Sequence, residues 1–299
     1  MNPIRTLFYY IEYLVIRLVS LLYDLIPAYK AYDVGAAITT CAYPLFRARR
    51  RIAIDNILKA HVTSDPKEAD RIARKAFGHL AGHICEALKV GQVVTADNWR
   101  KHITFDGPEA SWKMLMETPG VPIMLLSGHH GTWEAAVSII SFTRPMIAVA
   151  RKLNNPFADR FLKQHHFRGA ITIVPKKMGF TPNVLREWKD NGAAMTLVMD
   201  QHAGPKQGVM VNFMGRPAST HTSPARLHLK TGAPIIVGSF VRDAAFQYRM
   251  VTTSEPIIFH ATGNKEKDIA DLLTEINKRL EDVIRLYPEQ YLWAHKRWR

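Results

Sequence analysis

The stretch Val121-Pro122-Ile123-Met124-Leu125-Leu126-Ser127-Gly128-His129-His130-Gly131-Thr132-Trp133-Glu134-Ala135-Ala136-Val137 decides the fold. Its first part, 121–126, is a continuous apolar run, the character of a strand covered on both faces. From Thr132 onward apolar residues return at helical spacing. Two imidazoles and a carboxylate, spaced by glycines, therefore stand where a buried strand becomes a helix. Open α/β sheets place their ligands and chemistry at such junctions.

Reading outward toward the C-terminus, apolar runs at 146–150, 171–174, 194–199, 209–213, 235–241 and 248–253 have strand character. Helical patterns lie between them at 156–167, 181–189 and 223–230, and a long one covers 265–286. The alternation predicts an α/β fold: a three-layer mixed sheet flanked by helices. Toward the N-terminus, Ser64-Asp65-Pro66-Lys67-Glu68 reads as a helix start, with proline in the first turn and acids near the positive end of the dipole. That helix is expected to run to about Val90. No repeat, low-complexity tract or Gly/Ser linker divides the chain. The expected organisation is one domain over 31–299, with a helical part at 31–95 and an α/β core at 96–299.

Residues 7–27 are helical in pattern, apolar and rich in tyrosine, but Glu12 and Arg17 interrupt them. No small-residue cleavage site ends the run, so a removed signal peptide is not expected. Crossing a bilayer takes about 20 mostly apolar residues, and the two charges make a helix lying in the interface an equal alternative. An ordinary amphipathic helix packed on the domain is the third reading. Segment 1–30 is expected to be a membrane-associating helix.

With 47% hydrophobic residues in 299, the chain can bury a large core, which excludes disorder. Its 40 Lys+Arg against 26 Asp+Glu give a formal charge of +14, so anionic partners are expected: nucleic acid, phospholipid headgroups, a phosphorylated glycolipid or an acidic protein. Charge alone does not choose among them. Cys41 and Cys85 are the only cysteines, which excludes a disulfide scaffold and a Cys-rich zinc module.

His129 and Glu134 can form a general-base dyad across the turn. A carboxylate on one ring nitrogen fixes the tautomer and leaves the other to take a proton from a hydroxyl. His130, with Glu134 at i+4, could play the same part, and spacing does not decide between them. Zinc is a weaker reading, because H-E-x-x-H is absent. Ser127 fails the nucleophile-elbow pattern, since Leu125 occupies the place of its first glycine. Backbone N–H donors at the helix start after Gly131, or the forked guanidinium of Arg151, suit a negative charge there. Asp200, at the end of the run 194–199, would share a sheet edge with His129, to bind acceptor hydroxyls or hold Arg151, or serve only as a turn residue.

His129-His130-Gly131-Thr132-Trp133-Glu134 resembles the H-x4-D/E signature of the glycerolipid acyltransferase superfamily, in the form found in bacterial lipid A biosynthesis (lauroyl/myristoyl) acyltransferases. Arg151-Lys152-Leu153-Asn154-Asn155-Pro156 is similar to that family's Arg-x-x-x-Asn-Pro block, and Asp200-Gln201 to its strand-end Asp-Gln pair. Phe213-Met214-Gly215-Arg216-Pro217-Ala218 resembles its Phe-x-Gly-x-Pro-Ala block, and Pro288-Glu289-Gln290-Tyr291-Leu292-Trp293-Ala294-His295-Lys296-Arg297-Trp298 its ending. The likeness covers nearly the whole chain. It departs at His130, where the family has an aromatic residue, and at Thr132, where it has asparagine.

The resemblance implies acyl transfer from a thioester donor, acyl carrier protein or acyl-CoA, to a hydroxyl of an anionic glycolipid. A lipid A precursor leads, with phosphatidylinositol mannoside or a lysophospholipid as other acceptors; a non-catalytic lipid-binding protein is the alternative. It assigns the base to His129, its orientation to Glu134, and substrate binding to Arg151, Asn154, Asp200, Gln201, Gly215 and Arg216. No cofactor or metal is implied. The basic clusters at 47–51 and 295–299, the latter interleaved with Trp293 and Trp298, suit a membrane surface or acyl carrier protein. No nucleic-acid-binding motif is present, so nucleic acid is not an expected partner. The expected place of work is the inner membrane, with the site facing the cytoplasm.

Overall fold

The computed structural model describes residues 3–150, 154–166, 170–175 and 180–298. Four helices lead: α1 (Pro3–Asp24), α2 (Ala31–Ala42), α3 (Arg47–Lys59) and α4 (Pro66–Val93). Then follow β1 (Ile103–Asp106), α5 (Glu109–Trp112), β2 (Ile123–Ser127), α6 (Trp133–Ile140), β3 (Met146–Ala150), α7 (Pro156–His166), β4 (Ile171–Pro175), α8 (Pro182–Asp190) and β5 (Ala194–Val198). The hairpin β6 (Gly208–Phe213) and β7 (Arg216–His221), α9 (Ser223–Thr231), β8 (Ile235–Val237), β9 (Ser239–Ala244), β10 (Gln247–Val251) and α10 (Lys265–Leu286) complete the order.

The central sheet runs β4-β3-β5-β2-β8 with every pairing parallel. Successive side chains of a strand point to opposite faces, and β2 feeds two cores accordingly. Met124 and Leu126 pack with Leu227 of α9 and Leu273, Ile276 and Leu280 of α10. Ile123 and Leu125 pack with Ala136, Ile139 and Ile140 of α6 and Val90 of α4. Helices thus cover both faces, and the predicted three-layer α/β architecture is the one observed.

The apolar run 235–241 reads as one strand but is two. Ile235–Val237 pairs with β2, whereas Ser239 onward pairs with β10 in a second sheet of order β1-β10-β9. The switch falls at Gly238, where a Cβ would stand 2.6 Å from the Val251 carbonyl oxygen. Two strands escape the hydrophobic pattern. β1 has only four residues, and β7, Arg216–His221, is mostly polar yet pairs residue for residue with β6.

Asp65 caps α4 by accepting from the Lys67 N–H at 3.0 Å. Further along, α2 and α4 pack at close range because each puts glycine against residues of the other. A Cβ on Gly35 would meet the Cys85 sulfur at 2.7 Å, one on Gly78 the Thr40 hydroxyl at 2.6 Å, and one on Gly82 the Tyr32 ring at 2.8 Å. The end of α1 rests on the same helix: Tyr23 Oη donates to the Cys85 carbonyl, and Lys89 Nζ to Ile26 O at 2.7 Å. Its front half leans on α7, where Tyr10 and Tyr13 meet Phe157, and Tyr13 meets Phe161.

Candidate active site

β2 and β5 are adjacent and in register, with Ser127 opposite Val198. Two residues beyond each strand end come His129 and Asp200, so the sheet delivers an imidazole and a carboxylate to neighbouring positions at its carboxyl edge. Asp200 takes both available bonds: Oδ2 accepts from the His129 N–H at 2.9 Å, and Oδ1 lies 2.7 Å from His129 Nδ1. Gly128 makes the approach possible, since a Cβ there would crowd Asp200 Oδ2 at 3.3 Å. With Nδ1–H committed to the carboxylate, His129 Nε2 carries the lone pair, and the Gln201 amide Nε2 stands 3.3 Å from it. The imidazole keeps 23% of its side-chain surface exposed while Asp200 is buried.

Burial alone would raise the Asp200 carboxyl. The charge and hydrogen bonds of His129, and then the charge of Arg297, outweigh it and pull the group down to about 2. Asp200 is therefore an anion across the working range, the state that holds an imidazolium once His129 accepts a proton.

The dyad expected from spacing, His129 with Glu134, is not the pairing observed. Glu134 sits in the first turn of α6 and faces α4, where its Oε2 lies 3.1 Å from Nδ1 of the buried His83. The two are not aligned for a hydrogen bond, and neither ring nitrogen of His83 has a partner. Trp133 stands between the pairs, its ring 4.1 Å from His83 and 5.3 Å from His129. Physically, one residue of helix after the turn is enough to rotate Glu134 away from the strand end that carries His129.

His130 as a base is excluded by its surroundings. It is fully buried, with Nε2–H donating to Tyr287 O at 2.9 Å and Nδ1 accepting from Ser239 Oγ at 2.9 Å. Burial lowers it to about 4, against which its bond to Tyr287 acts only partly. The oxyanion assignment at Gly131 also changes. Gly131 sits at φ +68°, and a Cβ would collide with Phe240 O at 2.1 Å. Its N–H already donates to Gln290 O at 3.0 Å, and the Thr132 N–H to Phe240 O at 2.6 Å. Neither amide points into the site.

The remaining expected residues scatter. Arg151 lies outside the described residues. Asn154 is exposed in the turn before α7, and its buried neighbour Asn155 does the structural work. Asn155 Oδ1 caps α7 at Phe157 N, 3.0 Å, while Nδ2 donates to Glu12 Oε2 at 2.9 Å and Tyr9 O at 2.8 Å. Gly215, at φ +76°, makes the β6–β7 turn, with exposed Arg216 after it. No described contact joins either residue to His129. Ser127 is a packing residue, its hydroxyl donating to Gly128 O at 3.1 Å. Among the described residues, no three His, Cys, Asp or Glu side chains group as a metal site.

The C-terminal cluster, expected as a basic surface, divides: Lys296 is exposed, His295 and Trp298 are half-buried, Trp293 and Arg297 are interior, and Arg299 lies outside the described residues. Trp293 and Arg297 are 1% and 2% exposed. Arg297 donates to Gln201 O at 3.3 Å, to Ser219 O and to Thr220 Oγ1 at 2.6 Å, so it braces the loop carrying Asp200 and Gln201. Arginine suits this place because its planar fork satisfies several acceptors at once. The His202 N–H adds a bond to His295 Nε2 at 3.3 Å.

The strand ends thus hold an imidazole, its Nδ1 side fixed by a buried carboxylate, and comparison with known proteins shows the family to which the chain belongs. The chain belongs to a family of acyltransferases, the bacterial lipid A biosynthesis acyltransferases, whose profile matches residues 2–299. Among similar proteins are the lipid A biosynthesis palmitoleoyltransferase of Escherichia coli (strain K12) and the lipid A biosynthesis acyltransferase of Shigella flexneri. Each is 22% identical over 275 residues, covering 89% of this chain and 83% of its own length.

Proposed function

We propose that this acyltransferase moves a fatty acyl chain from a thioester, acyl carrier protein or CoA, to a hydroxyl of a lipid A precursor, with His129 as general base and Asp200 as the group that orients it. The observation carrying the reading is the 2.7 Å contact between His129 Nδ1 and Asp200 Oδ1 at the ends of adjacent parallel strands. Asp200 fixes the tautomer, so Nε2 takes the hydroxyl proton as the hydroxyl oxygen attacks the thioester carbonyl. The tetrahedral oxyanion then collapses: the C–S bond breaks, the new ester remains, and the imidazolium returns its proton to the thiolate. Backbone amides of the first turn of α6 beyond Thr132 and the Gln201 side-chain amide would supply the donors for the oxyanion. Asp200 stays ionised throughout and balances the transient imidazolium.

The acceptor follows from the family and from the names of the similar proteins. Work at a membrane is supported by the apolar outer face of α1, whose segment Arg5–Asp24 is long and apolar enough to cross a bilayer, and the thioester donors favour the cytoplasmic face of the inner membrane. The test is transfer by purified, detergent-solubilised protein from radiolabelled acyl carrier protein or acyl-CoA to a lipid A precursor, with phosphatidylinositol mannoside and lysophospholipid as rival acceptors. Wild type should acylate the precursor, and His129→Ala and Asp200→Asn should not. Failure of wild type with every acceptor, or full activity in Asp200→Asn, sinks the reading.

A further inference from the structure

The side of α1 that meets the protein is its polar and aromatic side. Thr6, Tyr9, Tyr13, Ile16, Ser20 and Tyr23 form a half-buried stripe at helical spacing, while Leu7, Phe8, Ile11, Leu18 and Leu22 are exposed. The two charges that interrupt the apolar run are engaged laterally. Glu12 accepts from Asn155, and Arg17 donates to Tyr13 Oη at 3.2 Å with its guanidinium 5.4 Å from the Phe161 ring centre. A helix held along its length in this way, aliphatic side outward, is built to lie on the protein and in an apolar medium together.

A second exposed apolar group follows on the same support. Ile38 of α2 is 66% exposed, and the turn from α2 to α3 presents Leu45 at 81% and Phe46 at 45%. Arg47, Arg49 and Arg51 come next and are exposed. One stripe of α4 carries both groups: Phe77 meets Phe46, Gly78 and Gly82 receive α2, and Cys85 and Lys89 receive the end of α1. From Phe77 to Lys89 that stripe is about 18 Å long at the helical rise. Arg49 donates to Ala294 O at 3.1 Å, whereas no ion pair of Arg47 or Arg51 is found among the described residues; greasy tip residues beside these two arginines match the layered chemistry of a bilayer surface, acyl chains below and anionic headgroups above.

We propose that the Pro44-Leu45-Phe46 turn, with Arg47 and Arg51, is a second membrane contact that docks on anionic phospholipid, so that α1 lies along the bilayer surface instead of across it. The proposal rests on the membrane reading of α1 and extends it to a part of the chain outside the N-terminal helix. Leu45 and Phe46 enter the acyl boundary, and the two arginines meet headgroup phosphates. The platform this makes fixes the orientation of the molecule, with α7, which packs on α1, held near the lipid.

The test uses the full chain and vesicles of phosphatidylglycerol and phosphatidylethanolamine, with phosphatidylcholine vesicles as the neutral reference. Leu45→Cys, in a Cys41→Ser background that removes the exposed thiol, is labelled with bimane; the 81% exposure of Leu45 keeps folding out of the question. In vesicle-bound protein the label should be quenched by brominated acyl chains and shielded from aqueous iodide. Iodide quenching equal to that of free protein overturns the proposal. Separately, Arg47→Glu/Arg51→Glu should weaken binding to the anionic vesicles roughly tenfold or more while leaving binding to neutral vesicles unchanged, given the usual contribution of a basic residue at such a surface. Unchanged anionic binding overturns the headgroup role. Acyl transfer in detergent, run in parallel, separates the two readings: a silent enzyme with a lipid-buried label counts against the catalytic proposal alone, and an active enzyme with an iodide-accessible label against the docking surface alone.

Discussion

Two histidine–carboxylate pairs flank Trp133, and they differ in every property that bears on catalysis. His129 and Asp200 come from adjacent strand ends, share a short aligned contact, and leave the imidazole partly open. His83 and Glu134 come from two packed helices, lie at 3.1 Å without alignment, and hide the imidazole completely while the carboxylate keeps some exposure. In the proposed mechanism the first pair moves a proton to and from a substrate. The second leaves a carboxylate on the other side of Trp133 from His129. The lesson is that nearness in sequence is a poor guide to pairing where a strand ends and a helix begins, because adjacent parallel strands bring distant residues closer than a helical turn does.

The largest effect is expected for His129→Ala. Removing a general base costs on the order of 10²–10⁴ in turnover, and thermal melting should stay within about 2 °C of wild type, since a partly exposed edge residue contributes little to the core. A melting point lowered far beyond that would make the residue structural. Asp200→Asn comes next, with a roughly 10²-fold or greater loss of kcat from a misoriented imidazole. Glu134→Gln breaks or sharpens the comparison directly: a loss within about tenfold is expected for a residue that acts at the rim. A Glu134→Gln variant as dead as His129→Ala would restore the dyad suggested by spacing. His83→Phe, which keeps the ring against Trp133, should have the smallest effect on kcat, and any change should appear in the acceptor KM.

Stability against pH separates the same groups. Burial lowers His130 to about 4 and, with the neighbouring charge of His83, His79 to about 3, against an ordinary 6.5. Below pH 6.5 the unfolded chain binds protons that the folded chain refuses, so their contribution is present above 6.5 and is lost as pH falls toward 4 and 3. Asp200, depressed from 3.8 to about 2, adds stability above 3.8 that disappears as pH falls toward 2. Chemical denaturation midpoints should therefore decline from pH 6.5 downward. His130→Phe, which cannot take up a proton on unfolding, should flatten the first part of that slope, and an unaltered slope would remove His130 from the account.

Much of the architecture was legible because the parallel strands are buried on both faces and read as unbroken apolar runs. His129 was legible from its place after such a run and from the six-residue motif. The run before Asp200 put it on the same sheet edge, but its pairing with His129 was not legible, because the two lie 71 residues apart and meet only where β5 neighbours β2. The mostly polar β7 hid its strand character, and a single glycine concealed the passage between two sheets. At the C-terminus, basic and aromatic residues in alternation suggested a surface, whereas the carbonyls of the Asp200 loop and of β7 draw Arg297 inward.

The brace at Arg297 also has a meaning for biosynthesis. Gln201 depends on a guanidinium that is translated 96 positions later. α1 leaves the ribosome long before it, and domains generally form from the N-terminal side as synthesis proceeds. The nascent chain can thus commit its apolar helix while the loop carrying Asp200 and Gln201 is still unsupported, so a chain cut short before the tail would keep the helix that meets its surroundings but lack the brace on that loop.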